Sequence, residues 1–173
     1  MKLMNYNNVN YFQCDLLKEH NFFHAFFTKR FENNTPKYLQ NKLNLNSKIH
    51  YLNQIHSNKV IKVNNTLDLK TRTGDCLITN ERCQSLWIYT ADCIPILIAD
   101  KETRNIAACH SGLKGLKKEI ISKTLKNLLE LGSKKHNLII SIGPSIQGNK
   151  YQVKIKDVEE LILKLTGERY MPN

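Results

Sequence analysis

The sequence predicts an α+β (mixed α/β) domain, with sheet-based layers and helices packed outside. Three observations carry that expectation. Most apolar residues fall in short runs of strand length, bounded by polar turns. Only two segments show the three-to-four-residue spacing of a helix with one apolar face. A length of 173 residues with 41% hydrophobic content suits one domain, residues 1–173, with a packed core.

After a polar lead-in, residues 22–27 (FFHAFF) read as a buried strand, with His24 inside it as a core imidazole. Residues 32–47 are Asn-rich and weakly periodic, and read as a loop with at most a turn of helix. Residues 49–55 and 59–63 alternate as strands do, and His56-Ser57-Asn58 forms the turn between them. Residues 64–73 are a polar link. Gly74-Asp75 precedes a short strand at 76–79, and residues 85–90 form another apolar run.

Residues 93–99 (CIPILIA) and 105–109 form two strands around the turn at 100–103. If they pair antiparallel, Cys93 and His110 meet at one sheet edge. Ser111-Gly112 then opens a helix whose stripe is Leu116, Ile120, Ile121, Leu125, Leu128 and Leu129, with Gly132 as its stop. The helix start points unpaired N–H groups toward His110, a favourable place for an anion such as phosphate. A strand at 137–142, a short one at 151–153 and a helix at 156–165 complete the order.

No apolar run approaches the roughly 20 residues of a membrane span, and the Asn-rich start lacks an export-signal core, so a cytoplasmic protein without membrane partners is expected. The net charge of +11 attracts polyanions without specificity. Specific nucleic-acid binding is not expected, because the excess is mostly dispersed Lys rather than Arg and no stacked-aromatic motif is present. The five cysteines form no CxxC pair, and their odd number implies reduced thiols.

His56, Cys93 and His110 each sit at a strand end. One thiolate and two imidazoles make a three-ligand set for zinc, leaving a fourth position for water or substrate. The same atoms without metal suit a nucleophile, Cys93, and a base, His110, oriented by Asp75 or Asp92. The residues alone leave both readings open.

Six blocks in order, HAFFTKR (24–30), NQIHSNKV (53–60), GDCLIT (74–79), TADCIPILIAD (90–100), AACHSGLKG (107–115) and IGPSIQGNKYQV (142–153), resemble the YfiH-type family. Its other names are purine nucleoside phosphorylase, peptidoglycan editing factor and multicopper polyphenol oxidase (laccase). The resemblance implies zinc, or alternatively copper, on His56, Cys93 and His110. It also implies phosphorolysis of adenosine, inosine and methylthioadenosine, with adenosine deamination as a side activity. Purine nucleoside and phosphate are the implied partners; Asp75 and Asp92 are candidates for handling protons or supporting the metal ligands, and Lys114 and the helix start are candidates for phosphate. The implied fold is that of YfiH-like cysteine hydrolases, which keeps a Cys93–His110 hydrolase or peptidoglycan-editing amidase as an alternative.

The chain departs from the family pattern in three places. Phe31-Glu32-Asn33-Asn34 replaces a Gly-Gly-Val-Ser turn, and Leu113 and Lys114 stand where the family has Trp and Arg. Lys keeps the charge but loses the bidentate fork. Family members continue beyond this C-terminus, so a truncated relative, half of a split gene or an inactive remnant is the further expectation.

Overall fold

The structure, a computed structural model, describes residues 1–28, 35–65 and 72–167. The turn at 31–34 and most of the polar link at 64–73 therefore lie outside the described residues. A five-stranded sheet holds the centre. It comprises β5 (Val60–Lys62), β6 (Cys76–Thr79), β8 (Ile94–Asp100), β9 (Ile106–Ser111) and β10 (Leu138–Ile142). Their order is β10-β8-β9-β6-β5, antiparallel throughout except for the β5–β6 pair. The expected pairing of the two central strands is present, with Pro95 opposite His110 and Ile94 opposite Ser111.

Alternation along β8 and β9 builds a core on each side. Ile96, Ile98, Ala107 and Cys109 face Ile120 and Leu128 of α4 (Ile120–Glu130). Leu97, Ala99 and Ile106 face Leu17 and Phe22, from α1 (Asp15–Glu19) and the segment after it. The sheet is thus covered on both faces, as the layered expectation requires.

Several elements differ from the sequence expectation. The lead-in is a hairpin, β1 (Lys2–Tyr6) and β2 (Val9–Gln13), whose two-residue turn places Asn7 and Asn8 at φ 47° and 63°. That double positive φ fits the right-handed twist of a hairpin, and Asn tolerates it better than most residues. The expected strand at 22–27 shrinks to β3 (Phe26–Phe27), paired with β2. His24 is the satisfied core imidazole expected: Nε2 accepts from the Cys14 N–H at 2.8 Å and Nδ1 bonds the Phe22 carbonyl at 2.9 Å. The expected loop contains α2 (Pro36–Lys42), started by Pro36 and by Thr35, whose hydroxyl accepts from the Tyr38 N–H.

The runs at 49–55 and 85–90 supply only β4 (Lys48–His50) and β7 (Gln84–Leu86), which pair in parallel. Residues 151–153 form no strand. The helix expected from Gly112 to Gly132 is broken into α3 (Leu113–Lys117) and α4 by Glu119 in the left-handed region, φ 62°. The break turns the axis so that Ile120 is fully buried, and the Asn58 amide donates to the Lys118 carbonyl at 2.8 Å. The last helix, α5 (Ile155–Thr166), buries none of its residues fully.

Candidate metal centre

The β8–β9 register alone brings Cys93, immediately before β8, beside His110 near the end of β9. His56 arrives from the turn ahead of β5. There its backbone takes φ 56°, a conformation that costs a non-glycine residue roughly 1–2 kcal/mol. Asp75 holds that turn. One carboxylate oxygen accepts the His56 N–H at 3.0 Å, and the other accepts the Ser57 N–H and hydroxyl at 2.6 Å each. Gln54 ties the same turn to the Cys93 approach, its amide bonding both N–H and C=O of Tyr89 at 2.7 Å.

One ligand atom from each of His56, Cys93 and His110 lies within 4.8 Å of the others. Cys93 Sγ is 3.8 Å from His56 Nε2, and the two imidazoles meet edge to face at 4.8 Å between centroids. Zinc bonds of about 2.0–2.3 Å space tetrahedral ligands roughly 3.3–3.7 Å apart, so small side-chain rotations suffice to close the set. Asp75 also bonds His110 Nδ1 at 2.9 Å, which presents Nε2 as the free donor. A carboxylate behind a ligand histidine is the usual outer support of a metal site. The sulfur–nitrogen set therefore fits a metal ion.

The electrostatics agree with that reading. Burial raises the Asp75 carboxyl's pKa, but hydrogen bonds from Ser57, His110 and His56 outweigh it and leave the pKa below the ordinary value. Asp75 is fully buried and stays an anion behind the cluster. Burial first, then the charges of Asp92 and Asp75, push the Cys93 thiol up. A cation among the three donors reverses that sign and takes the thiolate.

Gly112 lets the chains come this close. A Cβ there would stand 2.7 Å from Cys93 Sγ and 3.2 Å from His56 Cδ2. Gly112 and Ser57 are site residues that the sequence reading did not single out. Their adjacency to His56 and His110 was the available signal.

The remaining expected residues fare differently. Asp75 joins the cluster through His110 and the His56 turn. Asp92 is exposed on the approach to Cys93, where its carbonyl accepts the Ile146 N–H at 3.1 Å. Lys114 is exposed on α3, outside the ligand cluster. The long helix expected to aim its N-terminus at the site is only five residues long, so its dipole contributes less there than expected.

The fold and the cluster define a mixed α/β protein that presents a Cys-His-His set at the end of its central sheet. The sequence model of the family described as multi-copper polyphenol oxidoreductase laccase matches residues 29–169. The chain belongs to this family, the YfiH type. A relative from Synechocystis sp., named purine nucleoside phosphorylase, is 33% identical over 155 residues, 86% of this chain and 58% of its own. One of the same name from Aquifex aeolicus is 38% identical over 122 residues, 70% of this chain and 56% of its own. The chain thus spans little more than half the length of these relatives. Among solved structures, YlmD from Geobacillus stearothermophilus has a TM-score of 0.70 at 22% identity, covering 79% of this chain and 54% of that one. YfiH from Bacillus licheniformis has a TM-score of 0.66 at 22% identity, covering 75% and 52%. At that identity both bear on the fold alone.

Proposed function

We propose that the chain is a zinc-dependent purine nucleoside phosphorylase acting in the cytoplasm, with adenosine deamination as a side activity. The observation that carries the reading is the Cys-His-His cluster, oriented by one buried carboxylate. The relatives' shared name, purine nucleoside phosphorylase, supports the substrate class; inosine, adenosine and methylthioadenosine are the proposed members of it. Zinc held by His56, Cys93 and His110 supplies Lewis-acid stabilisation of an oxyanion or a water of lowered pKa.

The chain's own residues carry the rest. Asp75 fixes the His110 ring and the His56 turn, so two donors keep their positions without substrate. Asp92, exposed beside Cys93, is the proposed proton exchanger for the leaving base. Lys114, exposed on α3, is the proposed positive charge for phosphate. In phosphorolysis a phosphate oxygen bonds the anomeric carbon as the glycosidic C–N bond breaks. The base leaves with the electron pair and is protonated. The raised Cys93 thiol weighs against a metal-free cysteine hydrolase, which needs a thiolate.

The test is incubation of the purified chain with inosine and phosphate. Hypoxanthine and ribose 1-phosphate formed with zinc, and lost on chelation, support the reading. Absence of hypoxanthine with zinc present overturns it. Phenol oxidation dependent on copper would replace it with the activity in the family's description, and amide hydrolysis surviving chelation would replace it with the thiol chemistry.

A further inference from the structure

We infer that the cavity between α3, α5 and the adjoining ends of β8 and β9 receives the heterocyclic base of the substrate, with Ser111 Oγ as its hydrogen-bonding anchor. The inference rests on the nucleoside reading above and adds the place and the contact by which the base is held. Two independent observations meet here. The cavity measures about 280 Å³, and Cys93 and Gly112 form part of its wall, so it adjoins the ligand cluster. Ser111 also lines it, at 1% exposure, and its hydroxyl has no hydrogen-bond partner among the described residues.

The β9 pleat explains the direction of that hydroxyl. Ser111 pairs with Ile94, which packs with the α4-side core, whereas His110 pairs with Pro95 and points to the other face. The same two-residue step therefore gives His110 to the metal cluster and Ser111 to the cavity. A buried hydroxyl without a partner costs stability, and such a cost persists where function uses the group.

The lining selects the chemistry. Leu113, Leu116, Val153, Val158 and Leu161 make the walls largely apolar; among the described residues no Lys or Arg lines the cavity, and Asp92 does. A phosphate or any other anion is disfavoured on both counts. A flat, uncharged ring with a nitrogen or carbonyl for Ser111 fits apolar walls that carry a few polar groups, Ser145 and Tyr151 among them. Leu113 forms part of that wall.

The experiment measures binding of free adenine and hypoxanthine to the chain without metal or phosphate, by equilibrium dialysis, with the shifts of Leu and Val methyl resonances read in parallel. The expected result is saturable binding that shifts the methyls of Leu116, Val158 and Leu161. Ser111→Ala should weaken it about tenfold, while the ligand-free variant melts at the same or a higher temperature. Leu161→Trp, which fills the cavity from α5, should abolish base binding and leave zinc content unchanged. No saturable binding, shifts confined to another surface, or equal affinity in Ser111→Ala overturns the inference. Because no turnover is measured, base binding without phosphorolysis defeats the catalytic reading alone, and phosphorolysis without base binding here defeats only this one.

Discussion

Asp75 concentrates the most structure in one side chain. Its two oxygens take four donors, three of them from the His56–Ser57 turn that carries a strained backbone. Asp75→Asn keeps the volume but replaces two acceptors by one acceptor and one donor. It should cost about 3 kcal/mol of stability, since charged hydrogen bonds are lost and buried donors are left unpaired. Zinc affinity should fall about 10–100-fold, the usual consequence of losing an outer support. Denaturant titration and a competitive zinc titration check the two parts separately. The cluster was legible in the sequence because strand ends are readable from alternation, and three ligand-bearing residues stood at three of them. Asp75 was legible as one of two acids that could orient His110, but not as the holder of the His56 turn. Its four donors come from residues 18 to 35 positions away in the chain, which no local pattern encodes.

At the scale of elements, the break between α3 and α4 shows where periodicity misleads. The apolar stripe from Leu116 to Leu129 runs on at helical spacing through Lys118 and Glu119, neither of which is a helix breaker. Tertiary demand wins there: α3 caps the sheet end, α4 lies on the sheet face, and Glu119 absorbs the turn at φ 62°. Glu119→Gly relieves the left-handed strain and adds chain entropy to the unfolded state. The balance should be a gain of about 0.5 kcal/mol, read as a rise of about 1–2 °C in melting temperature. The exposed Glu119–Lys164 pair lost with it contributes little. The N-terminal hairpin was missed for the opposite reason, since its strands carry Asn and Lys where alternation looks for apolar residues. α2 was missed because its seven residues are too few for a periodic signal.

For the whole molecule, two buried histidines set the response to acid. Burial lowers the pKa of His24 and of His50, more than the opposing hydrogen bonds from the Phe22 carbonyl and Gln84 raise them. Below about pH 6.5 the unfolded chain therefore takes up protons that the folded chain refuses. Stability should be flat above that value and decline as pH falls toward 5. Asp75 and Asp100, whose pKa values are lowered, hold their contribution until the pH drops below the ordinary carboxylate range. Melting temperatures from pH 8 to pH 5 check this, and a flat profile across that window contradicts it. The layered fold was legible as a class because short apolar runs and two amphipathic stretches allow few other architectures. The strand order was not, because β5 meets β6 across the polar link and β6 meets β9 across the stretch that holds β7 and β8.

The central claim is that His56, Cys93 and His110 hold one metal ion. Metal analysis of the purified chain beside Cys93→Ala tests it most directly. The account predicts about one zinc per chain in the parent and its loss from the variant, with the melting temperature measured without metal little changed. Zinc content unchanged in Cys93→Ala, or a parent chain that takes up no metal when supplied with it, would contradict the account.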